Sequence, residues 1–111
     1  MNIKKVNIAV TIPPQYLEQF RKSILEEGAG IIENYTFCSV STKCTGTFIA
    51  NEHANPYIGV KGKLIYVEEE KLEVICDIKN VKKVIKKIKE IHPYETPVID
   101  IIPLLDEEDF K

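Results

Sequence analysis

An elbow framed by two prolines, residues 92–97 (HPYETP), constrains the fold of this chain more than any other feature. Before it, apolar residues recur at the helical period with lysines between them, namely Val81, Val84, Ile85, Ile88 and Ile91. Pro93 disfavours a helical conformation at the preceding residue, so this helix must end near Ile91. After the elbow, the apolar run 98–102 predicts a strand buried on both faces. Helix, elbow and strand therefore form one unit.

The first part of the chain predicts a second unit of the same kind. Residues 3–12 alternate between apolar and polar side chains, which indicates a strand with one apolar face. Pro13-Pro14 ends that strand and precedes an amphipathic helix, for which Gly28 is the expected C-cap. Residues 31–40 are rich in β-branched and aromatic side chains and predict another strand.

The middle of the chain predicts a hairpin and a long strand. Residues 41–46 carry the composition of a turn, and residues 47–50 are expected to form a short return strand. Residues 51–62 predict a loop, because they contain Asn55-Pro56 and two glycines. Residues 63–78 predict a long β segment with a bend or bulge at its acidic centre, residues 68–70.

The resulting order, strand-helix-strand followed by strand-helix-strand, is the split arrangement of α+β ferredoxin-like folds. Two helices would cover one face of an antiparallel sheet, while the other face would stay apolar and uncovered. Such a face favours self-association, since exposed apolar surface and unpaired strand edges both gain from a partner. We expect residues 1–111 to form a single domain, with residues 106–111 as a frayed acidic tail.

Composition excludes several functional classes. A formal net charge of −2 gives no support to nucleic-acid binding. No apolar run approaches the roughly 20 residues that span a bilayer, so no membrane association is expected. Three cysteines, an odd number, fit a reducing compartment, and we expect a cytoplasmic protein. The chain has no paired-carboxylate, serine-triad or dinucleotide motif, and we expect no enzymatic activity.

At the elbow, the chain resembles known proteins. His92-Pro93-Tyr94-Glu95-Thr96-Pro97, followed by Ile101 and Pro103, resembles the HPYE-x-P motif of CutA proteins. It is still more similar to the CutA-like domain inserted in the YqfO branch of the Nif-three family. That similarity extends upstream in order, through residues 28–30, Tyr35, Cys38, residues 45–48 and residues 54–59.

The resemblance implies a free-standing CutA/PII-like domain that assembles as a homotrimer. Ligands or partner proteins would bind in clefts between subunits, and no cofactor is implied. The proteins that host the inserted domain carry a two-metal site in flanking lobes, and the two histidines of this chain cannot rebuild it within one subunit. A catalytic role is therefore not carried over from them.

The expected ligand-binding residues lie in the loop and the elbow: Asn55, Tyr57, His92, Tyr94 and Glu95. His92 beside a carboxylate could bind metal or transfer protons, because its ordinary pKa is about 6.5. A structural role is the alternative, in which His92 ends the helix, the prolines fix the elbow and Tyr94 packs with its hydroxyl satisfied. A third hypothesis is an enzyme whose site is shared between subunits around His92, Tyr94 and Glu95.

The alternative function is binding of a divalent metal. Cys38 and Cys44 would face each other across the predicted hairpin, and with His53 or His92 they would form a thiolate and imidazole ligand set. Their spacing is unlike that of a zinc ribbon. Relative to the family that the chain resembles, Cys44 and His53 stand where glycine is usual. A buried Cys38 and an incidental thiol at Cys44 are the structural alternative.

Overall fold

The computed structural model describes residues 2–111 as a four-stranded sheet with two α-helices on one face. The elements are β1 (Lys5–Ile12), α1 (Leu17–Leu25), β2 (Val40–Ile49), β3 (Leu64–Asp77), α2 (Val81–Ile91) and β4 (Ile99–Leu104). The strand order is β2-β3-β1-β4, and every neighbouring pair is antiparallel. This confirms the α+β ferredoxin-like fold.

The core lies between the helices and the sheet. The inward-facing residues of β1, Val6, Ile8, Val10 and Ile12, are all buried. They pack with α1, α2 and β3 through Phe20, Ile24, Leu25, Val84, Ile88, Leu72, Val74 and Cys76. Burial of each large apolar side chain stabilises the fold by roughly 1.5–3 kcal/mol, so this layer fixes where the strand ends lie.

Helix α2 ends at Ile91, as the elbow predicts, and His92 already has an extended backbone. Asn80 stands at the N-cap position of α2, immediately before Val81. The Asn80 side chain makes no capping bond and instead donates to the carbonyl of Gly28 at 3.4 Å. Asp77 caps the short 3-10 turn that precedes α2, because its carboxylate accepts from the backbone N–H of Lys79.

The predicted strand 31–40 and turn 41–46 are wrong. Strand β2 runs unbroken from Val40 to Ile49 and pairs residue by residue with β3. Before it, residues 31–39 contain one isolated bridge, Ile32 with Tyr35, and no strand. Cys38 and Cys44 therefore do not face each other across a hairpin. The predicted bulge at residues 68–70 is also wrong, because both pairing registers of β3 run through without interruption.

The sheet face turned away from the helices, here called the second face, is partly polar. Alternation along β1 places Asn7, Ala9 and Thr11 on this face. Asn7 donates a hydrogen bond to the Glu73 carboxylate at 3.1 Å, so polar groups occupy its centre. The expectation of a uniformly apolar second face is therefore corrected.

The prediction that residues 98–102 are buried on both faces does not hold for a single chain. Val98 is 68% exposed, and Ile101 and Ile102 are 43% and 46% exposed. Strand β4 lies at the edge of the sheet, where only Ile99 packs against the core among the described residues of the strand. Burial of these side chains would require a second molecule.

The C-terminal residues 106–111, expected to be a frayed tail, contain a 3-10 turn from Glu107 to Phe110. Asp106 and Asp109 form a reciprocal capping box at its start. Fraying of this segment stays a prediction. Within residues 2–111, no helix has both the length and the apolar character needed to cross a membrane.

Candidate functional site

A cavity of about 330 Å³ opens on the second face, at the end of the sheet nearest the elbow. Its floor is formed by strand residues, among them Thr11, Gly46, Phe48, Val67 and Glu69. Its walls are residues 54–58 of the loop and residues 94–96 of the elbow, together with Val98. The cavity therefore lies where three strands, the loop and the elbow meet.

His92 holds the elbow against β1. The residue is 8% exposed, and its Nε2 lies 2.7 Å from the carbonyl oxygen of Thr11. Its Nδ1 accepts from the backbone N–H of Tyr94 at 3.1 Å. Because that N–H can only donate and the carbonyl can only accept, the proton lies on Nε2. Burial lowers the pKa of His92, which favours this neutral form.

The His92 ring also packs edge-on against Phe20 of α1, with ring centroids 5.5 Å apart. Both ring nitrogens and the ring itself are thus engaged within the chain. His92 lies behind the cavity wall and does not line the cavity. This arrangement matches the structural alternative for His92.

Tyr94 joins the elbow to β3. Its hydroxyl donates to Oε2 of Glu69 at 2.7 Å, and Glu69 is 8% exposed. Burial, together with the bond to Glu69, raises the pKa of Tyr94 well above its ordinary value. A tyrosine held in its neutral form is a poor base, so this arrangement favours binding over proton transfer.

Gly46 provides the space that the Glu69 carboxylate occupies. The two residues lie on neighbouring strands, and a Cβ at position 46 would overlap Oε1 of Glu69. Any side chain at position 46 would therefore push the carboxylate away. Glycine is required at position 46 because the Glu69 carboxylate approaches its backbone closely, and not because the chain turns there.

Glu95 joins the elbow to the loop. Its Oε1 accepts from the backbone N–H of Asn55 at 3.0 Å. Further along the loop, the hydroxyls of Tyr57 and Tyr16 lie 2.9 Å apart, and the Tyr57 ring lies 6.0 Å from that of Tyr94. The elbow thus fixes the loop that forms one cavity wall.

The predicted ligand-binding residues fall into two groups. Tyr57, Tyr94 and Glu95 line the cavity, whereas Asn55 contributes a backbone bond and His92 supports the elbow from behind. Sequence reasoning missed Glu69, Gly46 and Phe48. The acidic run 68–70 marked the region, but only the strand register shows which carboxylate turns inward.

The proposed metal ligands are not assembled in the single chain. Cys38 lies within the irregular segment 31–39, Cys44 lies within β2, and the His53 side chain is 86% exposed beside Glu52. Burial, followed by the charge of Glu69, raises the pKa of the Cys44 thiol. Across residues 2–111, no group of three or more His, Cys, Asp or Glu side chains is placed to hold a metal ion. Metal binding by Cys38, Cys44, His53 or His92 stays a prediction.

Comparison with known sequences relates the chain to part of a larger protein. It is 40% identical over 100 residues to the GTP cyclohydrolase 1 type 2 homolog of Halalkalibacterium halodurans, covering 90% of this chain and 27% of that protein. The homolog of the same name from Mycobacterium tuberculosis is 35% identical over 96 residues, with coverage of 86% and 25%. The chain thus spans about a quarter of the length of the curated relatives it matches. No protein-family model matches the chain.

Solved structures give the same relation. A Bacillus cereus protein related to NIF3 superposes with a TM-score of 0.81 at 35% identity, over 93% of this chain and 26% of that chain. The periplasmic divalent cation tolerance protein CutA of Archaeoglobus fulgidus superposes with a TM-score of 0.68 at 23% identity, over 94% and 90%. A PII-like CutA protein from Nostoc gives a TM-score of 0.66 at 18% identity, over 94% and 84%. The chain therefore has the fold of CutA proteins, and it is similar in sequence and structure to a segment that makes up about a quarter of a NIF3-related protein.

Proposed function

We propose that this domain is a non-enzymatic scaffold that assembles as a homotrimer and binds a small ligand in the cavity of about 330 Å³ beside the elbow. The cavity carries this proposal, since its walls are tied by hydrogen bonds to β1, β3 and the loop. A pocket fixed in this way is ready to bind without first ordering its walls. In the trimer, the cavity would open into a cleft between subunits.

Self-association is supported by apolar side chains at the end of the β2–β3 pair where Ile49 lies opposite Leu64. Ile49, Leu64 and Tyr66 are 62%, 53% and 71% exposed, and Ile49 pairs directly with Leu64. Strand β2 also presents an unpaired edge. A neighbouring subunit would cover both the side chains and the edge, and the CutA resemblance makes a three-fold ring the expected form.

The absence of catalysis is part of the proposal. The name GTP cyclohydrolase 1 type 2 homolog describes relatives of which this chain matches about a quarter. Within the cavity, the Tyr94 hydroxyl is bonded to Glu69 and held in its neutral form. These contacts suit a binding role, in which the ligand or its absence would be sensed by the assembly or by a partner protein.

The assembly is tested by size-exclusion chromatography with light scattering on the purified chain. We expect three times the mass of one chain across a tenfold range of protein concentration. A single-chain mass throughout that range would refute the homotrimer.

The cavity is tested separately, by amide NMR spectra recorded with a library of small charged and neutral compounds. We expect saturable shifts at Gly46, Tyr57 and Tyr94, with residues on the outer side of α2, such as Lys82 and Lys86, as unperturbed references. If no compound shifts the cavity residues, the binding role is wrong.

A further inference from the structure

The charges around the cavity have one sign. Glu69 and Glu95 line it, and no Lys, Arg or His is among its lining residues. The chain as a whole is nearly balanced, with 15 basic and 17 acidic residues, so this local imbalance is not a consequence of composition. A cavity whose only charged lining groups are carboxylates attracts cations and repels anions.

Glu69 is the second observation, and it points directly to a ligand. Its side chain lines the cavity although the residue is 8% exposed, and one carboxylate oxygen accepts from Tyr94. The other oxygen, Oε1, faces Gly46, and no donor among residues 2–111 pairs with it. A buried carboxylate without a cation is unfavourable unless a partner supplies charge or hydrogen bonds. Among residues 2–111, Oε1 is not one of the fully enclosed polar atoms without a partner, so it is open to the cavity and can accept a hydrogen bond from a ligand.

The remaining lining suits an organic body. Phe48, Tyr57 and Tyr94 bring three aromatic rings to the cavity, and the Tyr57 and Tyr94 centroids lie 6.0 Å apart. Aromatic faces attract ammonium and guanidinium groups, and the attraction is stronger where water is excluded. Ala54 and Val67 complete an apolar wall for a short hydrocarbon chain.

We infer that the ligand of this cavity is a small organic cation, an ammonium or guanidinium group on a short apolar body, whose charge binds Oε1 of Glu69 opposite Gly46. This inference rests on the proposed ligand-binding function. A bare metal ion fits less well, because no set of three metal-ligating side chains is found across the described residues 2–111.

The test uses three probes of equal size and different charge: n-butylamine, n-butanol and butyrate. Each is titrated into the full chain at neutral pH, and the amide shifts of Gly46, Tyr57 and Tyr94 are followed by NMR. We expect the amine to bind with a dissociation constant about 10-fold or more below those of the alcohol and the acid, the difference typical of a charge-assisted hydrogen bond.

The variant Glu69→Gln keeps an acceptor for Tyr94 and removes the charge. We expect it to weaken amine binding by about 10-fold or more. The matched control is Glu68→Gln, the adjacent carboxylate on the opposite side of β3, which is exposed and should leave amine binding unchanged. Equal weakening by both substitutions would overturn the assignment to Glu69.

The possible outcomes distinguish failure of the organic-cation inference from failure of the proposed binding function. Equal or tighter binding of butanol or butyrate at the same residues would overturn the cation and leave the cavity as a binding site. Displacement of the amine by micromolar zinc or copper in the wild type, but not in Glu69→Gln, would replace the organic cation with a metal. If the amide signals of the cavity residues shift with none of the three probes and with no compound of the wider library, the proposed binding function itself is wrong.

Discussion

At the scale of single residues, the elbow acts through three side chains with separate tasks. His92 binds β1, Tyr94 binds β3 and Glu95 binds the loop. The sequence predicted that these residues belong to one site, because they stand together in the elbow 92–97. It could not predict that Glu69 joins them, since three consecutive glutamates differ only in which side of a strand they face.

Replacing His92 tests its supporting role. We expect His92→Ala to lower the free energy of unfolding by about 2–4 kcal/mol, because a buried carbonyl loses its donor and the ring leaves a gap against Phe20. Urea denaturation at one fixed protein concentration measures this change. The exposed His53→Ala is the control and should change stability by less than about 0.5 kcal/mol. Similar effects at both positions would show that His92 contributes no more to stability than an exposed histidine.

The lowered pKa of His92 predicts a pH dependence. The unfolded chain binds a proton at His92 below about pH 6.5, whereas the folded chain resists protonation there. Stability is therefore full above pH 6.5 and declines as the pH falls from 6.5 towards the lower pKa of the folded state. Urea midpoints should fall between pH 7.5 and 5.5 in the wild type and in His53→Ala, and less steeply in His92→Ala. Parallel slopes in all three proteins would contradict this assignment.

At the scale of elements, the helices and three of the strands follow from the sequence, and β2 does not. The helical and alternating periods predicted β1, α1, β3 and α2, because each buries an apolar side, and the apolar run 98–102 predicted β4. Strand β2 is an edge strand whose polar residues face solvent, so its composition resembles that of a turn. The preceding segment contains Glu33 and Phe37 with φ of 50° and 57°, values that interrupt a strand. Pairing with β3, a long-range contact, decides where β2 begins.

Gly30 fixes the path of the chain into β2, and its replacement tests that role. Its φ is +75°, and a Cβ there would lie 2.5 Å from the carbonyl oxygen of Cys38. The control is Gly62→Ala, at φ +81° with no atom within 4 Å of the added Cβ, which should cost about 1–2 kcal/mol for backbone strain alone. We expect Gly30→Ala to cost at least about 1 kcal/mol more, because it adds a clash. Equal losses of stability in thermal or urea unfolding would show that the segment before β2 shifts to relieve the clash at little cost in free energy.

At the scale of the whole molecule, the described residues 2–111 leave apolar side chains in water at several places, two of which concern the sheet. One is the end of the β2–β3 pair, and the other is β4 with the residue before it. The sequence predicted the need for a partner, but from a second face assumed to be apolar throughout. In the structure, the exposed apolar side chains lie at the strand ends and at the sheet edge instead. A prediction that assigns one period to each strand does not distinguish the ends of a strand from its centre.

Tyr66 is the best position at which to test assembly. We expect Tyr66→Glu to shift the chain from trimer to monomer, because a charge would be buried wherever a neighbour covers this side chain, which is 71% exposed in the single chain. Phe110→Glu is the control, since Phe110 is 68% exposed in the C-terminal turn and should leave the mass unchanged. Light scattering reports the mass, and circular dichroism verifies that both variants fold. A trimer that persists in Tyr66→Glu would place the contact elsewhere.

The pairing of β3 with two neighbours has a consequence for how proteins of this shape diverge. Glu69 lies opposite Cys44, one step from Gly46, because ten consecutive pairs hold β2 and β3 in a single alignment. Deleting one residue near the start of β3 would turn Glu69 outward and bring Glu70 to its position beside Gly46, since residues 68–70 are all glutamates. Acidity inside this hollow therefore survives a slip of one residue, whereas the loss of two residues would bring Lys71 to the same position and reverse its charge.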